Sequence, residues 1–223
     1  MSTHLVTGAG SGIGAVVART LLDRGDAVVL LARSEARAEE LRASYAGASV
    51  LVADLARPDS VEALELPASI DSVVHAAGIV ELGPVAELSV DDWDEQLRVN
   101  LVAPATLTRI ALPALRAARG TVVFVNSGAG LAAHPGWSAY AASKHGLRAL
   151  ADALRGEERD IRVSTVYPGR TATPMQAKVH AQEGKAYDAA DWIRPETVAA
   201  QVVALVDLPR DATIPDVTVR PGG

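Results

Sequence analysis

Residues 7–14 read Thr7-Gly8-Ala9-Gly10-Ser11-Gly12-Ile13-Gly14. An apolar run, 4–7, precedes them, and an apolar-periodic stretch, 13–24, follows and stops at Gly25. A strand, a glycine-rich turn and a helix in that order place free backbone N–H groups and the positive end of a helix dipole at the strand's tip, where an anion is favoured. Gly8 and Gly12 permit a tight turn and close approach of a pyrophosphate, and Gly14 lets the helix lie close to the sheet. Taken alone, such glycines also read as a flexible turn; the strand–turn–helix context argues against that.

Outward from this turn the period of the apolar residues switches repeatedly between strand and helix. Strands are expected at 27–32, 49–52, 72–76, 121–126, 161–167 and 213–219. Helices are expected from the Ser34 cap through Tyr45, after Pro58, at 137–159 and at 195–205, with a poorly periodic loop carrying a helical piece at 173–190. A long helical segment, 90–118, contains Pro104 and Pro113, which suggest a kink or break. Strand–helix alternation without repeat or linker predicts one α/β domain over 1–223, a doubly wound parallel sheet of about seven strands with helices on both faces. Ligands of such sheets bind at the carboxyl ends of the strands.

Composition narrows the function. The chain has 223 residues, 49% of them hydrophobic, and needs no covalent staple for its core. It has no cysteine, which excludes disulfides, thiolate zinc sites and thiol catalysis. Its five histidines never fall at metal-ligand spacing, so no metal is expected. A net charge of −6 with no Lys/Arg run argues against nucleic acid, and no apolar stretch reaches membrane-spanning length. A strand starting by His4 leaves no room for a signal peptide, so a cytoplasmic location is expected.

The strand ends carry chemistry. Ser127 follows the fifth strand, Tyr140 lies thirteen residues on, and Lys144 is four residues beyond that. Tyr140 and Lys144 share one helix face at i, i+4. An ammonium beside a phenol favours the phenolate, which suits the tyrosine to proton exchange with a carbonyl or alcohol, and a serine hydroxyl stabilises charge on the same oxygen. Tyr-x-x-x-Lys alone favours a surface tyrosine beside a solvated lysine. Lys144, however, is one of only three lysines among 21 basic residues.

Thr-Gly-x-x-x-Gly-x-Gly at the first turn, with Asn126-Ser127-Gly128-Ala129-Gly130 and Tyr140-Ala141-Ala142-Ser143-Lys144, resembles the short-chain dehydrogenase/reductase family. The resemblance covers most of the chain, about 5–219, and is to a compact member whose C-terminus, Arg220-Pro221-Gly222-Gly223, directly follows the last strand. It implies Ser127 as carbonyl-binding residue, Tyr140 as acid/base, and Lys144 as lowering the tyrosine pKa and bonding the nicotinamide ribose. Asn100 matches the family asparagine that holds a proton-relay water. His75-Ala76-Ala77-Gly78 matches the family's Asn-Asn-Ala-Gly only in its last two positions. Pro168-Gly169-Arg170-Thr171-Ala172-Thr173 matches Pro-Gly-x-x-x-Thr and implies that Thr173 contacts the carboxamide or the phosphates; as a helix cap before Pro174 it has a second role.

The candidate cofactor contacts are therefore Gly8, Gly10, Ser11, Gly12, Ile13, Gly14, Arg33, Ser34, Asp54, Leu55, Ala77, Gly78, Tyr140, Lys144, Pro168, Gly169, Thr171 and Thr173. The second strand ends Leu31-Ala32-Arg33-Ser34 with no acid at its tip, so the expected cofactor is NADP(H), with Arg33 on the 2′-phosphate; Arg37 is a helper and Glu35 a complication. The expected reaction is hydride transfer between NADP(H) and a small carbonyl or alcohol. Rival readings are a catalytically silent NADP-binding sensor, marked by tight binding without turnover, and a methyltransferase, marked by S-adenosylmethionine binding. His134, Trp137, Met175, Tyr187 and Trp192 are candidate pocket walls. Alanine- and leucine-rich helices at 90–118 and 137–159 suggest a homodimer or homotetramer.

Overall fold

In the computed structural model, which describes residues 1–222, the glycine turn joins β1 (Thr3–Thr7) to α1 (Gly12–Asp23). The chain continues through β2 (Ala27–Ala32), α2 (Glu35–Ser44), β3 (Ser49–Val52), α3 (Pro58–Glu62) and β4 (Ser72–His75). Then come α4 (Val90–Leu97), α5 (Ala103–Ala118), β5 (Thr121–Val125), α6 (Ser138–Glu157), β6 (Arg162–Pro168), α7 (Pro174–Gln182), α8 (Pro195–Val206) and β7 (Asp216–Val219). The seven strands form one parallel sheet in the order β3-β2-β1-β4-β5-β6-β7. The order reverses between β1 and β4, so their carboxyl ends mark the crevice of a doubly wound sheet.

Strand residues alternate between two cores. Val6, Leu30, Val74, Val123 and Val166 face α1 and α8. Leu5, Leu31, Val73, Phe124 and Val163 face α5 and α6, where Leu107, Leu115 and Leu147 meet them. Each such side chain contributes about 1.5–3 kcal/mol on burial. Burial on both faces is why the strands read as unbroken apolar runs. His75 is also buried; it stacks on Phe124 and pairs with Thr108 Oγ1 at 2.9 Å. Burial lowers its pKa to about 3, so it is a neutral core residue.

The segment 90–118 is continuous, but a π-helical turn, Arg98–Val102, separates α4 from α5. Pro104 explains it. With no N–H it cannot bond the carbonyl four residues back, and its ring crowds that carbonyl. The wider turn relieves the crowding, with Ala103 N–H bonding the Arg98 carbonyl. Pro113 lies inside α5 without ending it. No helix among the described residues is long and apolar enough to cross a membrane.

Candidate active site

At the crevice the backbone leaves no room for side chains on the glycines. A Cβ on Gly8 would lie 2.6 Å from Ala77 N, and one on Gly14 would lie 2.5 Å from the Gly8 carbonyl oxygen. Gly8 also has φ +75°, a conformation open mainly to glycine. Tyr45 buttresses the turn, and Thr7 ties its start to the segment after β4. Tyr45 Oη donates to the Ala9 carbonyl at 2.7 Å, and Thr7 Oγ1 accepts from both Ala76 N and Ala77 N at 3.1 Å. Ser11 occupies the N-cap of α1, but its hydroxyl makes no capping bond. The first N–H groups of α1 are thus left for a ligand.

A cavity of about 770 Å³ opens from this turn across the ends of β4, β5 and β6. Of the candidates from the sequence, Gly8, Ser11, Gly12, Ile13, Ala77, Gly78, Ser127, Tyr140, Lys144, Pro168, Gly169, Thr171 and Thr173 line it. Gly10, Gly14, Arg33, Ser34, Asp54, Leu55 and Asn100 do not. Gly14 lies behind the turn. Arg33 and Ser34 stand exposed at the tip of β2, and Asp54 and Leu55 follow β3. Asp54 Oδ1 accepts from Ala56 N in a local turn, while Leu55 packs on the core. His134, Trp137 and Met175 line the far end of the cavity. Tyr187 and Trp192 do not; they pack instead around the His180 ring, with centroids 5.3 and 5.0 Å away.

Ser127 is set by Asn126, whose role as a brace is not apparent from sequence. Asn126 Oδ1 accepts from Ser127 N at 2.8 Å, and its Nδ2 donates to the Lys144 carbonyl at 3.0 Å. The detectable signal is Gly130: a Cβ there would lie 2.5 Å from Asn126 Oδ1. Ser127 Oγ accepts from Ala129 N at 3.1 Å, and its O–H remains to donate, toward Tyr140 in the protein alone.

Tyr140 and Lys144 sit one turn apart on α6, both buried, with Lys144 Nζ 5.8 Å from the tyrosine ring centroid. Nζ donates to the Val125 carbonyl at 3.2 Å. Burial lowers the Lys144 pKa to about 8. Burial raises that of Tyr140, and the Ser127 hydroxyl opposes this. The sequence expectation that Lys144 lowers the tyrosine is thus not met in the protein alone. Desolvation dominates, and it also weakens the charge on the lysine.

Asn100 lies in the π turn with its side chain committed. Oδ1 accepts from Ile79 N, and Nδ2 donates to the Ile79 carbonyl and to Ser143 Oγ, at 2.9, 2.9 and 3.0 Å. Ser143 in turn donates to the Tyr140 carbonyl at 2.7 Å. Asn100 therefore braces α6 against the segment after β4. A Cβ on Gly78 would lie 3.2 Å from Asn100 Oδ1 and 3.6 Å from Lys144 Nζ. Thr173 caps α7 by accepting from Gln176 N at 3.2 Å, while still lining the cavity.

The arrangement suits a dinucleotide. Side-chain-free backbone and unpaired helix N–H groups lie at one end, and a hydroxyl, a phenol and an ammonium converge at the other. Comparisons with known proteins point the same way. The sequence model described as short chain dehydrogenase matches residues 2–184. An uncharacterised short-chain type dehydrogenase/reductase from Sinorhizobium fredii is 34% identical over 98% of this chain and 91% of its own. An alcohol dehydrogenase from the archaeon Thermococcus sibiricus, solved with 5-hydroxy-NADP, superposes with a TM-score of 0.87 at 26% identity, covering 99% of this chain and 97% of that one. A 4-hydroxyisoleucine dehydrogenase solved with NADH gives 0.84 at 26% identity, covering 100% and 98%.

Proposed function

The chain belongs to the short-chain dehydrogenase/reductase family, and on that premise we propose that it is an NADP(H)-dependent oxidoreductase acting on a small carbonyl or alcohol, with Tyr140 as acid/base. The carrying observation is that Ser127, Tyr140 and Lys144 share one cavity with the glycine turn. The turn and the α1 N-terminus would hold the pyrophosphate, and Thr171, Thr173 and the Pro168-Gly169 backbone would hold the nicotinamide end. When bound, the cofactor supplies the hydride and, oxidised, a positive charge that favours a phenolate nearby.

In the reducing direction the Tyr140 hydroxyl gives its proton to the substrate oxygen. The O–H of Ser127, turned from Tyr140 to the substrate, donates to the same atom and stabilises its developing charge. The Lys144 ammonium has three donors, so beyond Val125 it can reach a ribose hydroxyl. In the role of Asn100 as holder of a relay water, the available group is its backbone carbonyl, which Pro104 cannot bond. The same reading includes a homodimer or homotetramer through α4–α5 and α6, where Val90 and Val102 are exposed; light scattering that returns the monomer mass would reject it.

NADPH absorbance with a carbonyl and alcohol panel tests the reaction. Tyr140→Phe should lower turnover at least ~10²-fold while retaining cofactor affinity. Activity within about threefold of wild type would reject the acid/base assignment, because general acid–base catalysis is larger than that. Tight NADP binding without turnover on any substrate would instead favour the sensor.

A further inference from the structure

The cavity lining contains a cation that the reaction does not use. Four charged side chains line the whole cavity: Lys144, Arg170, Glu183 and Arg220. Lys144 belongs to the catalytic set. Arg170 is spent, since it donates to both carboxylate oxygens of Glu183 at 2.6 and 2.9 Å and lies 5.9 and 5.5 Å from the Trp137 and Trp192 rings. Arg220 is exposed at the cavity mouth, and among the described residues it meets no carboxylate.

Its position is fixed by the sheet. Val219 pairs with Pro168, and Gly169 N donates to the Val219 carbonyl at 2.8 Å, so residue 220 emerges at the carboxyl edge beside the catalytic loop. The Arg220 guanidinium lies 3.3 Å from where a side chain on Gly128 would begin, and Gly128 directly follows Ser127. The absence of a side chain at 128 leaves that path open. Apart from Lys144 and the paired Arg170 and Glu183, the cavity lining carries no other fixed charge among the described residues, and much of it is apolar, with Ala129, Ala132, Pro135, Trp137, Met175 and Val179.

We propose that Arg220 binds a carboxylate carried by the substrate, so that the substrate class is short-chain oxo acids and the corresponding hydroxy acids. This rests on the oxidoreductase reading above. A guanidinium presents a planar fork that matches a carboxylate with two charge-assisted bonds. Ser127 and Tyr140 hold the carbonyl oxygen, Arg220 holds the carboxylate, and two fixed points orient the reacting carbon.

The test uses pyruvate, acetoacetate and levulinate, which place the carboxylate at increasing distance from the ketone, together with their methyl esters. Wild type, Arg220→Gln and Arg220→Lys are compared. At least one acid should exceed its ester in kcat/KM. Arg220→Gln should lower that acid's kcat/KM about 10-fold or more, mainly through KM, with ester and cofactor KM values within about twofold and partial rescue by lysine. Esters preferred by wild type, an equal loss on acid and ester, or a loss in cofactor KM alone would overturn the proposal; the last would make Arg220 a phosphate ligand. If nothing is turned over, calorimetry with lactate and 3-hydroxybutyrate on the NADP complex separates the two readings. Binding lost in Arg220→Gln keeps the anion site and rejects the oxidoreductase. Binding that is absent, or indifferent to Arg220, rejects the site.

Discussion

The side-chain amide of Asn126 donates to the backbone carbonyl of Lys144 at 3.0 Å. Its oxygen simultaneously accepts from Ser127 N at 2.8 Å, so one buried residue fixes the strand that presents the serine against the helix that presents the tyrosine and lysine. Asn126→Ala removes both bonds and leaves the Ser127 N–H without its acceptor, at a cost of about 1–3 kcal/mol. It should also lower kcat about 10-fold or more, since a misplacement of order 1 Å can cost ~10²-fold. Denaturation midpoints and steady-state kinetics check both. Unchanged kcat in a destabilised variant would show that the brace serves folding alone.

Lys144 should destabilise the fold it completes. Burial lowers its folded pKa to about 8, below its ordinary unfolded value. Below pH 8 the folded state therefore holds a buried ammonium at a penalty. As pH rises from about 8 towards about 10.4, the unfolded chain binds more protons than the folded one, and this group's contribution to stability improves with pH. Lys144→Met should thus be more stable than wild type at pH 7, with the gap closing as pH approaches 10, and inactive throughout. Urea denaturation across that range checks it. A methionine variant less stable at pH 7 would refute it.

Two glycines should respond oppositely to alanine. A Cβ at Gly14 meets the Gly8 carbonyl at 2.5 Å, backbone on backbone, so Gly14→Ala must open the turn. We expect a loss of about 1–3 kcal/mol, the usual cost of overpacking, together with weaker nucleotide binding. Gly156 lies inside α6 with nothing within 4 Å of its Cβ position. Gly156→Ala should therefore stabilise by roughly 0.5–1 kcal/mol and leave kinetics untouched. Thermal unfolding and NADPH titration of both variants provide the comparison.

The contrast between these residues shows what the sequence can reveal. The run 27–32 matches β2 residue for residue because a strand buried on both faces is apolar throughout. The expected last strand, 213–219, shrinks to Asp216–Val219, because an edge strand carries a weaker apolar signal and Thr213 and Ile214 are exposed. Pro104 announced an irregularity, but not that Asn100 would sit in a π turn. Ser127, Tyr140 and Lys144 were legible because their spacing is local to one strand end and one helix. The Arg170–Glu183 pair, the packing of Tyr187 and Trp192 on His180, and the Tyr45 buttress were not. Each joins segments whose approach depends on tertiary packing, with no periodicity to announce it.

Nucleotide preference should be set at the tip of β2. Structures similar to this chain were solved with a 5-hydroxy-NADP and with NADH, so likeness does not choose between the cofactors. The local charges carry the expectation of NADP(H). Arg33 is exposed immediately after β2, and Ser34 caps α2 by accepting from Arg37 N at 3.3 Å, with its own O–H free. Arg37 reaches back over the glycine turn to the Gly10 carbonyl at 3.1 Å, while it also pairs with Glu40. Glu35, the acid nearest the tip, stands in the first turn of α2 beside Arg42, at 3.6 Å. On the proposed NADP(H) reading, Arg33 and Arg37 face the ribose 2′-phosphate, with Glu35 drawn toward Arg42 rather than standing at the strand end. We expect kcat/KM with NADPH to exceed that with NADH by about 10-fold or more, the worth of one charge-assisted pair. Ala32→Asp combined with Arg33→Ala should reverse the order, by repelling the phosphate and offering the ribose an acceptor. The wild-type preference should also narrow as ionic strength rises from about 0.01 to 1 M, because an exposed guanidinium–phosphate attraction is screened over that range. Wild-type enzyme that uses NADH better, or a preference indifferent to salt and to the double variant, would place nucleotide selection elsewhere than at this strand end.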